Sequence, residues 1–167
     1  PLGRSNGVSS IDPTAAFAFG HGIGYTAFEG SAGQHGPDKI GVDGTATLGL
    51  RLRNTGDRPG TEIVQVYVHD PVASVVRPVQ RLVGFQRVDL LPGESVELSI
   101  HVPADVTSFT GRNGERVVEP GEIVLGLGAS STDMRVTQSV QLSGEARAVG
   151  FDRTFHPSFR EISRSTP

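Results

Sequence analysis

The 167-residue chain has room for one β-sandwich of about 100 residues with flanking segments, and is short for two independent domains. Its formal net charge is −3 with 20% charged residues and no run of five like charges, which gives no footprint for nucleic acid or an anionic membrane surface. It has no cysteine, which excludes disulfide frameworks, thiolate nucleophiles and zinc–thiolate sites together, and no run approaches the roughly 18 consecutive apolar residues of a spanning helix.

Residues 1 to 16 are rich in Gly, Ser, Asn and Pro without apolar periodicity and read as loop. Phe17 to Phe28, FAFGHGIGYTAF, is an aromatic segment spaced by glycines. Its Gly20-x-Gly22-x-Gly24 run does not fit the GxGxxG of a phosphate cradle, and no strand–turn–helix context follows it. These glycines are expected to allow close backbone packing or positive φ, with His21 as a hydrogen-bonded residue among them.

From Thr45, Ala46, Leu48, Leu50 and Leu52 alternate with polar or small residues, the period of a half-buried strand. Asn54 to Gly60, NTGDRPG, supplies turn chemistry before a second strand over Ile63 to Val68. There Val64, Val66 and Val68 share one face and Ile63, Gln65 and Tyr67 the other, which predicts a central strand covered on both sides or one lying against a neighbouring domain. Asp70-Pro71 stops it, and Pro78 keeps the connection Val72 to Gln80 out of a sheet interior.

After Leu82 to Leu90 and the turn Leu91-Pro92-Gly93-Glu94, Val96, Leu98, Ile100 and Val102 alternate strictly. Asn113-Gly114 is the pair favoured in tight hairpins, and Glu119-Pro120-Gly121-Glu122 makes a turn before Ile123, Leu125 and Leu127. Met134, Val136, Val140 and Leu142 complete the set, with Gln138 interrupting the face. Short strands divided by turns, without a 3.6-residue period, predict an all-β sandwich with its core between about Thr45 and Leu142. Beyond Gly144, Phe151, Phe155 and Phe159 recur at four-residue spacing around Pro157; the segment reads either as a tail whose aromatics dock on another surface or as a disordered extension or cloning remnant.

Several motifs in order resemble one known domain. FAFGHGIGYT over Phe17 to Thr26 is similar to the FPFGHGLGYT-like end of the second domain of glycoside hydrolase family 3 enzymes of the β-glucosidase type, with Ala18 where that family often has proline. Asn54 to Gly60 with Glu62 to Val68 resembles its NTGDRxGxEVVQxYV stretch, and Arg77 to Phe85 its RPxxxLxGF element. Leu90 to Ser95 resembles LxPGES, Val118 to Glu122 VEPGE, and Gly128 to Asp133 GxSSxD.

The resemblance implies a fibronectin type III-like (immunoglobulin-like) β-sandwich with irregular extensions. On it, residues 1–30 are the end of an α/β domain and its junction, 31–144 the sandwich and 145–167 a C-terminal tail. It further implies a parent enzyme that hydrolyses β-glucosides or β-xylosides with retention, by an aspartate nucleophile and a glutamate acid/base that both lie on sequence outside this chain. The expected role is a structural clamp for those catalytic domains, with a share in oligomer contacts. The junction residues are Phe19, Gly20, His21, Gly22, Gly24 and Tyr25. A start at Pro1 is what a fragment or processed product would show, and a single lysine, Lys39, among many arginines fits a high-GC bacterial coding background.

No catalytic residue, cofactor or metal site is expected in the chain itself. His35, His69, His101 and His156 are scattered, Ser130-Ser131 has no GxSxG elbow, and the 18 carboxylates are read as solvated surface. With no Trp and 6% aromatics, Tyr67, Phe85 and Phe109 are assigned to core or interface rather than to a sugar-stacking face. The competing readings are a stand-alone carbohydrate-binding or adhesion module, which predicts glycan binding by the chain alone, and one piece of a split hydrolase, which predicts a larger associated partner.

Overall fold

The computed structural model describes residues 15–166; the expectation of loop over residues 1 to 14 lies outside them. In chain order the elements are β1 (Phe28–Ala32), β2 (Lys39–Gly41), β3 (Thr45–Asn54), β4 (Gly60–His69), β5 (Arg81–Leu90) and β6 (Ser95–Pro103). A 3-10 turn (Ala104–Thr107) precedes β7 (Phe109–Thr110), β8 (Arg116–Val118), β9 (Gly121–Gly128), β10 (Met134–Ser143), β11 (Arg147–Ala148) and β12 (Ser158–Ser165). They form a four-stranded sheet, β1-β3-β6-β12, a five-stranded sheet, β2-β10-β9-β4-β5, and a small sheet, β11-β8-β7. All pairs are antiparallel except β2 with β10.

The two larger sheets bury their alternating aliphatic faces against each other, as an all-β fibronectin type III-like sandwich does. Ala46, Leu48, Leu50 and Leu52 of β3 and Val96, Leu98, Ile100 and Val102 of β6 come from one sheet. Val64, Val66, Ile123, Leu125, Leu127, Val140 and Leu142 come from the other. At roughly 1.5–3 kcal/mol for each buried side chain, this core holds the sheets together.

Three features differ from the sequence pattern. The Asn113-Gly114 hairpin is not a two-residue primed turn, because only Gly114 has positive φ (82°) while Asn113 does not. Gly114 N–H instead donates to Gly111 O (3.1 Å) and Gly111 N–H to Glu115 O (2.8 Å), a longer loop with glycine at the left-handed position.

The segment 145–167 is not simply a tail, since Ser158–Ser165 adds to the free edge of β6 as β12. The unpaired backbone groups of that edge need partners, a demand that local pattern does not reveal. Phe159 packs on the core whereas Phe151 is fully exposed, so the three phenylalanines form no common stripe. The strands thus run from Phe28 to Ser165, wider at both ends than residues 31–144.

Thirdly, Glu94 is not solvated surface: it is buried, accepting Leu91 N–H (2.6 Å) and Arg164 Nη1 (3.1 Å). The first of these hydrogen bonds, then the guanidinium, holds its carboxyl below the usual range.

On β4 the alternation leaves Val64, Val66 and Val68 in the core and turns Gln65 and Tyr67 outward, yet these two are only 5% and 3% exposed. The strand lies between β9 and β5, so its hidden outer face needs a cover.

Candidate functional site

That cover is the backbone of the segment before β1. Gln65 Nε2 donates to Gly20 O (3.0 Å) and Ala129 O (2.5 Å), and its Oε1 accepts from the Tyr67 hydroxyl (2.6 Å). Each amide atom of Gln65 therefore has a partner, as a buried amide requires. Phe19 O accepts Ser131 N–H (2.9 Å), which ties the same segment to the β9–β10 turn. Burial pushes the Tyr67 phenol above its ordinary pKa.

The chain reaches this position through a turn closed by His21 N–H donating to Ala18 O (3.0 Å), with Gly20 at φ 78°. A Cβ on Gly20 would overlap Gln65 Oε1 and stand 2.9 Å from the Tyr67 hydroxyl oxygen. Conformation and space both demand glycine there. A Cβ on Gly22, by contrast, meets nothing within 4 Å.

A second anchor holds the other end. Thr26 Oγ1 donates to Asn54 Oδ1 (2.7 Å), and Thr55 N–H donates to Ala27 O (2.9 Å). Asn54, at 0% exposure, also takes Gly56 N–H on Oδ1 (3.0 Å) and gives Nδ2 to Arg58 O (2.7 Å) and Leu90 O (3.1 Å). Asn54 thus joins the NTGDRPG turn, the end of β5 and the segment before β1.

Along this segment the large apolar side chains are left exposed. Phe17, Phe19, Ile23 and Tyr25 are 68%, 67%, 87% and 94% exposed. The Phe17 ring stacks on His21 with centroids 5.3 Å apart. Phe85, 65% exposed, lies opposite Gln65 in the β4–β5 register and so on the same face, as does Ile63. A cleft of about 350 Å³ opens between segment and sheet, lined by Gly20, His21, Ile23, Ile63, Gln65 and Arg135, with a Glu62–Arg135 ion pair (2.7 Å) in its wall.

Of the junction residues named from sequence, Phe19 and Gly20 contact β4 and the β9–β10 turn through their carbonyls. His21 stacks on Phe17, and Tyr25 is exposed. Positive φ belongs to Gly20 alone among Gly20, Gly22 and Gly24. Tyr67, Phe85 and Phe109 share no stacking face: Tyr67 and Phe109 are buried, the latter 5.0 Å beneath the Arg77 guanidinium. Gln65 and Asn54, which organise the site, were not singled out from sequence; a polar residue amid the valines of β4 was the available signal for Gln65.

Residues 62–131 match the family model described as a fibronectin type III-like domain. The chain is similar to a β-xylosidase of Formosa agariphila, 38% identical over 120 residues, covering 72% of this chain and 17% of that protein. It is similar to β-glucosidase BoGH3A of Bacteroides ovatus, 37% identical over 122 residues, covering 72% of this chain and 16% of that one. The solved structure of β-glucosidase from Listeria innocua in complex with glucose superposes with a TM-score of 0.76 at 29% identity, over 81% of this chain and 19% of that chain. The chain therefore spans about a sixth of the length of the curated relatives it matches.

Proposed function

Because the chain belongs with the C-terminal fibronectin type III-like domains of glycoside hydrolase family 3, we propose that it is the non-catalytic clamp of a β-glucosidase- or β-xylosidase-type enzyme. By this reading the parent cleaves β-glucosides or β-xylosides with retention, using two carboxyl groups about 5 to 5.5 Å apart on its other domains. The chain contributes a rigid face against which those domains sit.

The observation that carries the reading is the exposed apolar face made by Phe17, Phe19, Ile23 and Tyr25 with Phe85 and Ile63. Large apolar side chains left exposed together on one short anchored segment mark an interaction site in a folded domain. It also lies on the segment by which the chain would join a preceding domain, and contacts between domains of one chain commonly bury about 600–1,500 Å². Anchoring that segment by its backbone presents the rings in fixed positions, which lowers the entropy lost when they are covered.

The test uses the full-length parent. Phe19→Asp and Phe85→Asp should lower its Tm and its turnover of aryl β-glucosides or β-xylosides, while the 167-residue chain carrying the same changes keeps its fold. A full-length Phe85→Asp, Phe19→Asp double variant with unchanged Tm and kcat/KM overturns the clamp. So does hydrolysis of these glycosides by the pure chain alone.

A further inference from the structure

A second feature, on different residues, is not used by the clamp. Arg77 in the β4–β5 connection, Arg81 at the start of β5 and Arg116 in β8 converge on the end of the 3-10 turn. Arg77 Nη2 donates to Thr107 O (2.7 Å), Arg81 Nη2 to Val106 O, and Arg116 Nη2 to Ser108 O (2.9 Å) with its Nε on Ser108 Oγ (3.0 Å). Three successive carbonyls that the turn leaves open are thereby satisfied. The arginines are held in place rather than loose in solvent.

Capping accounts for these hydrogen bonds but not for the charge. The Arg77 guanidinium is paired with Asp70 and stacked over Phe109. Arg81 and Arg116 have no carboxylate within ion-pair distance among the described residues. Three guanidiniums thus stand against one carboxylate in a chain whose net charge is −3. Carbonyl dipoles orient a guanidinium without neutralising it. Burial, then the neighbouring Arg77 and Arg116, pull the Arg81 guanidinium below its usual pKa.

These side chains line an open cleft of about 350 Å³ together with Val75, Pro78 and Phe109. On their other side Arg81 and Arg116 border a smaller cleft of about 160 Å³ beside Phe155, His156 and Asp105, whose carboxylate is paired with Arg147. A guanidinium has five N–H donors in a planar fork. Arg81 gives one of its donor groups to Val106 O, leaving most of the fork without a protein acceptor.

We infer that the cleft walled by Arg77, Arg81 and Arg116 binds a small oxyanion, either the carboxylate of an acidic sugar or an inorganic phosphate. Asp70 already occupies the Arg77 fork, so the ligand oxygens bind between Arg81 and Arg116. Bidentate guanidinium–oxyanion contacts are the strong member of the hydrogen-bond class. Val75 and Pro78 supply the apolar wall that a sugar ring would lie against.

The experiment follows the arginine Nε–H signals of the ¹⁵N-labelled chain during titration with sodium glucuronate or sodium phosphate, with glucose and sodium chloride at matched ionic strength as controls. Saturating shifts are expected at Arg81 and Arg116 with one or both oxyanions, and the tighter of the two identifies the source. Arg81→Gln and Arg116→Gln should weaken binding about tenfold or more, while Arg51→Gln, far out on β3, leaves it unchanged. Arg81→Lys, which keeps the charge that the fold tolerates, should fall between and covers failure of the glutamine variants to fold. Shifts that never saturate and match those in sodium chloride overturn the inference. An affinity unaltered in Arg81→Gln, Arg81→Lys and Arg116→Gln overturns it as well.

Discussion

Replacing Gly20 by alanine should unlatch the segment before β1 without unfolding the sandwich. Gly20 sits at φ 78°, where an L-residue costs roughly 1–2 kcal/mol, and its new methyl would overlap Gln65 Oε1. Moving Gln65 breaks its bonds to Gly20 O and Ala129 O, each worth about 0.5–1.5 kcal/mol. The cheaper escape is release of the segment, which gives up Gln65–Gly20, Ser131–Phe19 and the long Tyr67–Phe19 contact (3.5 Å) and relieves the strain. The loss is therefore capped at about 1–3 kcal/mol, or a Tm decrease of roughly 2–10 °C for a chain of this size.

The assay is the tyrosinate absorbance of Tyr67 in a Tyr25→Phe background, since the chain has two tyrosines and no Trp. Wild-type Tyr67 releases its proton above the ordinary phenol value because burial disfavours the anion. Its contribution to stability is complete below a pH of about 10 and is lost as pH rises through the folded-state value. In Gly20→Ala the transition should move back toward the ordinary value, and that alkaline loss of stability should shrink. Gly22→Ala, with empty space around its Cβ, is the matched control and should leave both unchanged. An unaltered Tyr67 titration in Gly20→Ala, or equal effects from both variants, would refute the latch.

Asn54→Ala removes a fully buried amide with four hydrogen-bonding partners and should cost about 2–4 kcal/mol in urea unfolding; Asn54→Asp, which turns an oxygen toward Leu90 O and Arg58 O, should cost at least as much. Phe159→Ala should cost about 1–2 kcal/mol because the ring is partly buried on the core, whereas Phe151→Ala should stay within about 0.5 kcal/mol by the same measurement. Glu94, through Leu91 N–H and then Arg164, and Glu161, through Arg164, are both held below the usual carboxylate range. The stability they lend is present above about pH 4.3 and lost as pH falls through their folded values, so protection of the β12 amides should decline first in acid, with a smaller dependence left by Glu161 in Glu94→Gln.

The strands that meet the core were legible because half-burial writes itself as period two: Ala46 to Leu52, Val96 to Val102 and Ile123 to Leu127 announce their faces residue by residue. β12 was not legible. Its period is broken by a bulge at Ile162, which is 55% exposed, and what recruits the strand is the open edge of β6. The junction could be located from its spaced glycines and aromatics, but its attachment could not, since the groups that bind β4 and the β9–β10 turn are the carbonyls of Phe19 and Gly20. Backbone carbonyls are the same in every residue, so of this attachment only the side chain that donates to Gly20 O, Gln65, leaves a trace in the sequence.

That division of labour is the strongest physical argument for a covering surface. A segment serving only its own sandwich would turn its rings inward, since burying one Phe or other large apolar side chain is worth roughly 1.5–3 kcal/mol. Here the polar backbone faces in, fixed at Gly20 and at Thr26, and Phe17, Phe19, Ile23 and Tyr25 face out. The anchor at Phe19 and Gly20 fixes the backbone beside Phe17, and the stretch from there to the anchor at Thr26 carries Ile23 and Tyr25. Their burial energy is available only to a surface that closes over both the segment and the sheet, which is the geometry a clamp on a preceding domain requires.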